Sequence, residues 1–584
     1  MNDRSFGFPA PLATSRRRSR LLDWLLGPRR RWRQLDLRML RSLCLMTVAV
    51  AGCDVARGRF GDMALPADCN ASCPSGFSCD NGTCTGGSAS MIDFDVTTYP
   101  VTAMLTIDGQ APIAGSGCSG NQVNVDFSEG APPTSFFAPV IGTLVDAPMA
   151  CEDANGAVAT RLPAGQYRVL ASRADTNTSF PDAVITLQSK LAVKAASTQT
   201  WDVTTVPVAG VLTIDGQPPI AGSGCSGNHV DISFVDDSGG SFTSSIPCSD
   251  GSGTFSTRVA PGSYRVIATR ADSNTTFPAA SVVVKSSFQV SAATAGLAWN
   301  VATVPVSGVV TIDGQPPVAG SGCSGNQVNV DFVNDDGAQF TASVACEVAS
   351  GAFSTRVAAG TYRVLASRAD SNTTFPAATV VMQSSFTVAA AATVNWNVAT
   401  IPVSGVVTID GQSPVAGSSC SGNQVNVDFV NDAGAQFTAS IACEVASGAF
   451  STRVAAGTYR VLASRADSNT SFPEATLALQ SAFTPSATAT TQQWNVVTVP
   501  VSGHVLVDGQ PPVAGSSCSG DQVRVTFFDA GGASYDYSIP CTDATGAFSL
   551  RLAAGTYHAL ATRIDNNSSF PDATFTLVEA IAIH

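Results

Sequence analysis

A chain of 584 residues with 16 Cys, 51 Gly and a formal charge of -13 is too long for one hydrophobic core, so several domains are expected. Only 13% of its residues are charged, and its abundant Gly, Ser, Thr, Val and Ala favour short strands and turns over helices. Beyond residue 52 it carries 20 basic against 41 acidic residues, and a body that acidic repels phosphate backbones and excludes nucleic-acid binding.

The first 52 residues have the opposite sign, with eleven Arg against Asp3, Asp23 and Asp36. Arg16-Arg17-Arg18 and Arg29-Arg30-Arg31 make an unusually long basic leader, and Met39 is read as the true start. The apolar run Leu43 to Ala51 is too short to span a bilayer as a helix but fits the core of a signal peptide. It runs into Val50-Ala51-Gly52-Cys53, which resembles the bacterial lipobox. That resemblance implies that Cys53 becomes the lipidated N-terminus, so the expected partner is a membrane, reached through a lipid. Asp54 resembles an inner-membrane retention signal, and the choice between cell membrane and outer membrane stays open.

Residues 53–84 then read as a lipid anchor and cysteine-rich neck. Cys69, Cys73, Cys79 and Cys84 lie within sixteen residues that contain nothing able to build a core. Two disulfides are expected there, with three pairings open. The patch resembles a truncated EGF-like module. Residues 85–96, beginning Thr85-Gly86-Gly87-Ser88, read as a flexible linker.

Five copies of one unit follow. Cys118, Cys225, Cys323, Cys420 and Cys518 recur at spacings of 107, 98, 97 and 98 residues. Cys151, Cys248, Cys346, Cys443 and Cys541 follow them after 23 residues, or 33 in the first copy. Evenly spaced pairs in a Gly-rich chain predict one disulfide per copy and an oxidising compartment. Zinc is the rival, but no nearby His pattern completes a tetrahedral site, and no metal or cofactor is expected. The copies are placed at 97–204, 205–302, 303–399, 400–497 and 498–584.

The third copy displays the strand phases. Val304, Val306, Val310 and Ile312 alternate into the turn Asp313-Gly314, then Val328, Val330 and Phe332, then Phe340, Ala342 and Val344. Gly351-Ala352-Phe353-Ser354-Thr355-Arg356-Val357-Ala358-Ala359-Gly360-Thr361-Tyr362-Arg363-Val364 reads as a β-hairpin turning at Ala359-Gly360. Strands through Val380 and Phe386, and through Trp396 and Val398, complete seven. An all-β chain of five tandem seven-stranded two-sheet sandwiches after a small disulfide-rich module is the expected fold. At Trp201, Trp299, Trp396 and Trp494 the last strand of one copy runs into the next without a Gly/Ser linker, so a semi-rigid rod is expected.

Val-Ser-Gly-Val-Val-Thr, Gly-Gln-Pro-Pro-Val-Ala-Gly, Gly-Ala-Phe and Ala-Gly-Thr-Tyr-Arg-Val together resemble the carboxypeptidase regulatory-like, or transthyretin-like, domain and the collagen-adhesin B-type repeats. The resemblance covers residues 97–584. It implies a prealbumin-like sandwich used as an accessory or stalk module. The Lys–Asn isopeptide staple of the adhesin repeats is excluded from the last three copies, because residues 286–584 contain no Lys.

The four histidines, His229, His504, His558 and His584, occupy unrelated repeat positions, so no catalytic set recurs and no enzyme activity is expected. Arg368, Asp370 and Asn372 form the best polar candidate for a repeated ligand loop. The competing interpretation is an Asx-type turn beside a surface ion pair. Tyr362 and Trp396 share phase with apolar neighbours and read as core, not as sugar platforms. The expected protein is an exported, lipid-anchored, non-enzymatic stalk or interaction scaffold of the cell envelope. The alternative is an adhesin or carbohydrate-binding protein that gains avidity from five modules, with a glycan or surface protein as partner.

Overall fold

The computed structural model describes residues 77–80, 83–86, 91–129, 142–486 and 490–584, all within one compact unit, Val48–His584. Every regular element among them is a strand. Cys53, Cys69 and Cys73 lie outside the described residues, as does the whole leader.

In the third repeat, Ala352–Ala358, Thr303–Ile312 and Ala392–Val398 form a three-stranded sheet, with the last strand parallel to the central one. Gln339–Ala345, Asn326–Val333, Gly360–Arg368 and Ala378–Val388 form an antiparallel four-stranded portion facing it. The alternation sends one side chain in two into the space between. Val328, Val330, Phe332, Val364 and Val310 are fully buried there. Phe332 sits about 6 Å from the rings of Phe353, Tyr362, Phe386 and Trp396, so each repeat is centred on one aromatic cluster drawn from both sheets.

The expected hairpin is not one. Ala352–Ala358 pairs with Thr303–Ile312 in the small sheet, whereas Gly360–Arg368 pairs with Asn326–Val333 and Ala378–Val388 in the large one. The chain changes sheets at Ala359. The Tyr362 hydroxyl holds this corner by donating to the carbonyl of Ala358 at 2.9 Å, and Tyr167, Tyr264, Tyr459 and Tyr557 do the same four residues back. A Cβ at Gly360 would stand 3.2 Å from that hydroxyl, a tight contact that the tyrosine would have to yield to.

All-β repeats with one disulfide each are present, but the four-stranded portions are not separate sheets. Ala378 and Thr379 pair with Phe437 and Gln436 of the next repeat. Equivalent two-residue ladders join the first repeat to the second, the second to the third and the fourth to the fifth. A fifth ladder joins Ala573 and Thr574 of the last repeat to Val145 and Leu144 of the first. Twenty strands therefore close on themselves, and the short strands Phe77–Asp80 and Thr83–Gly86 add to the last repeat's final strand, Ala573–Ile583. The expected in-line rod is thereby overturned. The joints lack a Gly/Ser linker, yet each turns the chain so that neighbouring large sheets meet edge to edge.

A second strand exchange reinforces the closure. Met91–Val96, expected to be linker, is a strand that lies parallel to Thr498–Val507 from Met91 opposite Ser502 to Val96 opposite Val507. It occupies in the fifth repeat the place that Ala392–Val398 occupies in the third.

Candidate functional site

The features repeated around the ring are its joints. A two-residue Asp-Gly turn needs positive φ at both central residues, and Asp313 and Gly314 adopt 51° and 78°. Ile312 and Gln315 close the turn with reciprocal backbone bonds of 2.9 Å. Asparagine and aspartate tolerate this conformation better than other side chains. Here it places the Asp313 carboxylate at the start of the next repeat. Its oxygens accept bonds from the Thr400 N–H and hydroxyl, both at 2.7 Å, and from Arg453 Nε at 3.2 Å. Arg453 also donates to the Thr400 carbonyl at 2.8 Å. The same triad recurs as Asp108, Thr205 and Arg258, as Asp215, Thr303 and Arg356, and as Asp410, Thr498 and Arg551. The fifth triad, Asp508 with Thr98 and Arg161, spans 410 residues between Thr98 and Asp508 and closes the ring.

The closing strand is built to match. Ile92 and Phe94 are buried, and Phe94 stacks on Phe548 with centroids 5.9 Å apart, as Trp396 stacks on Phe353 at 5.5 Å. The Asp95 carboxylate accepts the Gly509 N–H at 2.9 Å, the role that the Asn397 amide oxygen has toward Gly314 at 2.7 Å. Asp93 lies 2.8 Å from His504 Nδ1 on the outward side.

The candidate loop brings Asp370 and Asn372 together as a turn, with Arg368 outside it. Asp370 accepts the Asn372 N–H at 2.7 Å and the Ser324 N–H at 3.2 Å, which is the Asx-turn geometry. These bonds hold its carboxyl below the usual range, with the Asn372 backbone contribution first. Arg368 is exposed, and its counterparts Arg173, Arg465 and Arg563 pair not with the loop aspartate but with Asp182, Glu474 and Asp572 after the Phe-Pro step. The third repeat has Ala377 at that point. Asn372 supplies its carbonyl to the Gly320 N–H. The loop thus pins the cystine-bearing segment to the edge of the sheet.

All five expected repeat disulfides form: Cys118–Cys151, Cys225–Cys248, Cys323–Cys346, Cys420–Cys443 and Cys518–Cys541. Asp370 lies near the Cys323–Cys346 pair, as equivalents do in three other repeats, but sulfurs bonded to each other are not thiolate ligands. Cys79 and Cys84 stand opposite each other in the backbone register of the two short neck strands.

Three of the four histidines prove to be substitutions within structural positions. His229 replaces the buried glutamine represented by Gln327, whose amide donates to Ala345 and Val348 carbonyls. Burial lowers the His229 pKa. His558 stands where other repeats have Arg168, Arg265, Arg363 or Arg460, and burial pushes it down to about 4. His504 faces Asp93. Nothing brings these three together. Tyr362 and Trp396 are 2% and 8% exposed, so neither offers a sugar platform. A cleft of about 430 Å³ at the fourth joint, between Asp410, Arg551 and Glu474, has Phe472 and Tyr535 buried beneath it.

The joints make acid sensitivity predictable. At Asp313 desolvation is the largest influence and raises the pKa, but the Thr400 and Arg453 contacts together outweigh it and lower the pKa below 3.8. A depressed folded pKa gives stability that is complete above the unfolded value and disappears as pH falls through the folded one. Urea midpoints for the wild type should therefore drop below about pH 4 more steeply than for Asp313→Asn, which keeps an acceptor but no charge. Buried Asp331 and Asp428 have raised pKa values and act with the opposite sign, but they are common to both proteins and cancel from the difference. Parallel curves would remove the charge from the account of the joint.

No family model and no curated protein matches the chain. Among solved structures it is similar to the Bacillus anthracis TIE protein, at 12% identity over 63% of this chain and 67% of that one, with a TM-score of 0.13. A tetra-tandem repeat from the extending region of a large adhesion protein matches at 18% identity, over 65% and 98%, with a TM-score of 0.09. The minor pilin GBS52 of Streptococcus agalactiae matches at 11% identity, over 35% and 95%, with a TM-score of 0.16. Scores this low attach no function to the likeness.

Proposed function

We propose that this is an exported, non-enzymatic cell-envelope protein, lipid-anchored at Cys53, that acts as a closed five-part interaction scaffold and not as an extended stalk. Ring closure carries the reading: twenty strands without a free end in the cycle, locked by a strand from the far end of the chain, make a rigid body with five equivalent faces. One disulfide per repeat supports an oxidising compartment.

Each face presents the same aliphatic tip. Ile113, Ile220, Val318, Val415 and Val513 are 50–60% exposed, though isolated aliphatic residues are common on surfaces. Their recurrence at one repeat position is what gives them meaning. Val318 is held rigidly, its N–H bonded to the Thr374 hydroxyl at 2.8 Å and its carbonyl to the Thr374 N–H at 2.9 Å. Five weak contacts with a repetitive surface partner, glycan or protein, would add through avidity.

The anchor is the part most directly tested. Cys53→Ser should move the protein from the membrane fraction to the soluble fraction while leaving its disulfides and thermal transition unchanged. A variant that stays as firmly membrane-bound as the wild type would refute the lipid anchor.

A further inference from the structure

We propose that the cleft at the fourth joint is a binding site for an alkylammonium group of the kind that a lysine side chain carries. The cleft has a volume of about 430 Å³ and is walled from two repeats. Ile409, Ser413 and Glu474 line it from the fourth repeat, and Leu550 and Arg551 line it from the fifth. Small-molecule sites fall in the range of about 300–1,000 Å³.

The wall residues are where this joint departs from the others. The second and third joints have Pro218 and Pro316 at the position of Ser413, and Ala279 and Ala377 at that of Glu474. They have Thr355 and Thr452 where Leu550 stands. The first joint and the seam also have a carboxylate in place of Glu474, as Asp182 and Asp572, but they keep Thr257 and Thr160 in place of Leu550. Serine at 413 removes a proline ring from the mouth, and its hydroxyl is spent on the Ser447 carbonyl at 3.0 Å. In the second repeat the Thr257 hydroxyl donates to the Thr243 carbonyl at 3.3 Å. Leu550 gives up that bond and puts a partly exposed, branched apolar side chain in its place. A wider mouth, an apolar wall and an added carboxylate thus fall on one cavity.

Charge selects the ligand. Asp410, Glu474 and Asp536 border the cleft, against Arg551. Arg551 is already committed, with Nε donating to the Thr498 hydroxyl at 2.8 Å and the guanidinium reaching the Thr498 carbonyl at 2.7 Å and Asp410 at 3.2 Å. Arg465 pairs with Glu474 at 3.1 Å, so three carboxylates stand against two guanidiniums and the balance is negative. That balance repels anions and attracts cations. The Glu474 side chain is 42% exposed and can accept a second donor. An ammonium on a short alkyl stem meets both demands, laying its stem along Ile409 and Leu550 while its head stays partly hydrated beside Glu474.

The probe is Nα-acetyl-lysine methylamide, titrated into the full chain with labelled Ile and Leu methyl groups. The Ile409 and Leu550 resonances should shift saturably with a Kd on the order of 1 mM, as for a ligand of about fourteen non-hydrogen atoms. The same compound acetylated at Nε keeps the stem without the charge and should bind at least about fivefold more weakly. Glu474→Ala installs the residue that the third joint already uses, so the fold is kept, and it should weaken the charged probe by about the same factor. Leu550→Thr is compatible with the fold for the same reason; it identifies the Leu550 resonance and should weaken both forms of the probe alike. 1,5-Diaminopentane in a parallel titration shows whether a free diamine or a lysine side chain is the better source of the group. No saturable shift up to about 20 mM, binding unchanged by Glu474→Ala, or shifts caused by a neutral disaccharide but not by the lysine derivative would each overturn the proposal.

Discussion

Phe94→Ala should destabilise the protein by about 3–5 kcal/mol, the range for removing a buried aromatic ring, although its position precedes the first repeat. Phe94 is 2% exposed, stacked on Phe548 and 6.3 Å from Phe527. Loss of the ring leaves a cavity between the two sheets of the fifth repeat and weakens the strand that covers that side of Thr498–Val507. Urea unfolding of the mature chain measures the change. Met91→Ala is the internal control, since Met91 is 58% exposed on the same strand and should shift stability by no more than about 0.5 kcal/mol. Hydrogen exchange adds location: the amide of Leu506, on the side of its strand that faces Met91–Val96, should lose more protection in Phe94→Ala than that of Val310 in the third repeat. A linker residue would give no shift in either measurement, so a Phe94 effect as small as that of Met91 would mean that the ring is not closed by this strand.

The sequence carried a legible trace of this closure. Phe94-Asp95-Val96-Thr97-Thr98-Tyr99-Pro100-Val101 repeats the pattern of Trp201-Asp202-Val203-Thr204-Thr205-Val206-Pro207-Val208 at a true joint. Tryptophan marks four joints, and phenylalanine stands in its place at the fifth. Pairing the strand of Phe94 with Thr498–Val507 requires the first and last repeats to touch, which no local pattern supplies.

Other features divide along the same line. Strand phase was readable because burial repeats every second residue, and Val328, Val330, Phe332 and Tyr362 are buried as their alternation requires. Sheet membership was not readable, since Phe353 and Val364 alternate alike whether their strands pair together or belong to opposite sheets. The disulfides were legible from regular spacing. The joint triads were not: Arg356 meets Asp215 from 141 residues away, and within its own repeat it looks like any exposed arginine on a strand. Only the periodic recurrence of Asp-Gly, of Thr before the strand and of Ser-Thr-Arg held a signal, and periodicity names candidates without pairing them.

Replacing Cys323 and Cys346 together by alanine should cost about 3 kcal/mol, as expected for a cross-link closing a 23-residue loop. Both must be changed, because a lone thiol invites exchange with the remaining cystines. The native backbone retains other ties at this loop: the Cys346 N–H reaches the Gly325 carbonyl at 2.9 Å, and Gln327 holds the Ala345 and Val348 carbonyls. The substituted repeat should therefore fold, with its loss expressed in the unfolding equilibrium. How that loss appears distinguishes ring from rod. Five independent sandwiches would absorb about a fifth of the unfolding heat in a separate, earlier calorimetric peak. In the ring, opening the third repeat removes the edge partner of Ala280–Ser281 on one side and of Gln436–Phe437 on the other, and it breaks the triads of Asp215 and Asp313. Nearest-neighbour coupling of that kind spreads a local defect through the array. The expected result is one calorimetric transition displaced to lower temperature, and a resolved early peak would mean that the shared sheet edges and triads do not couple the repeats.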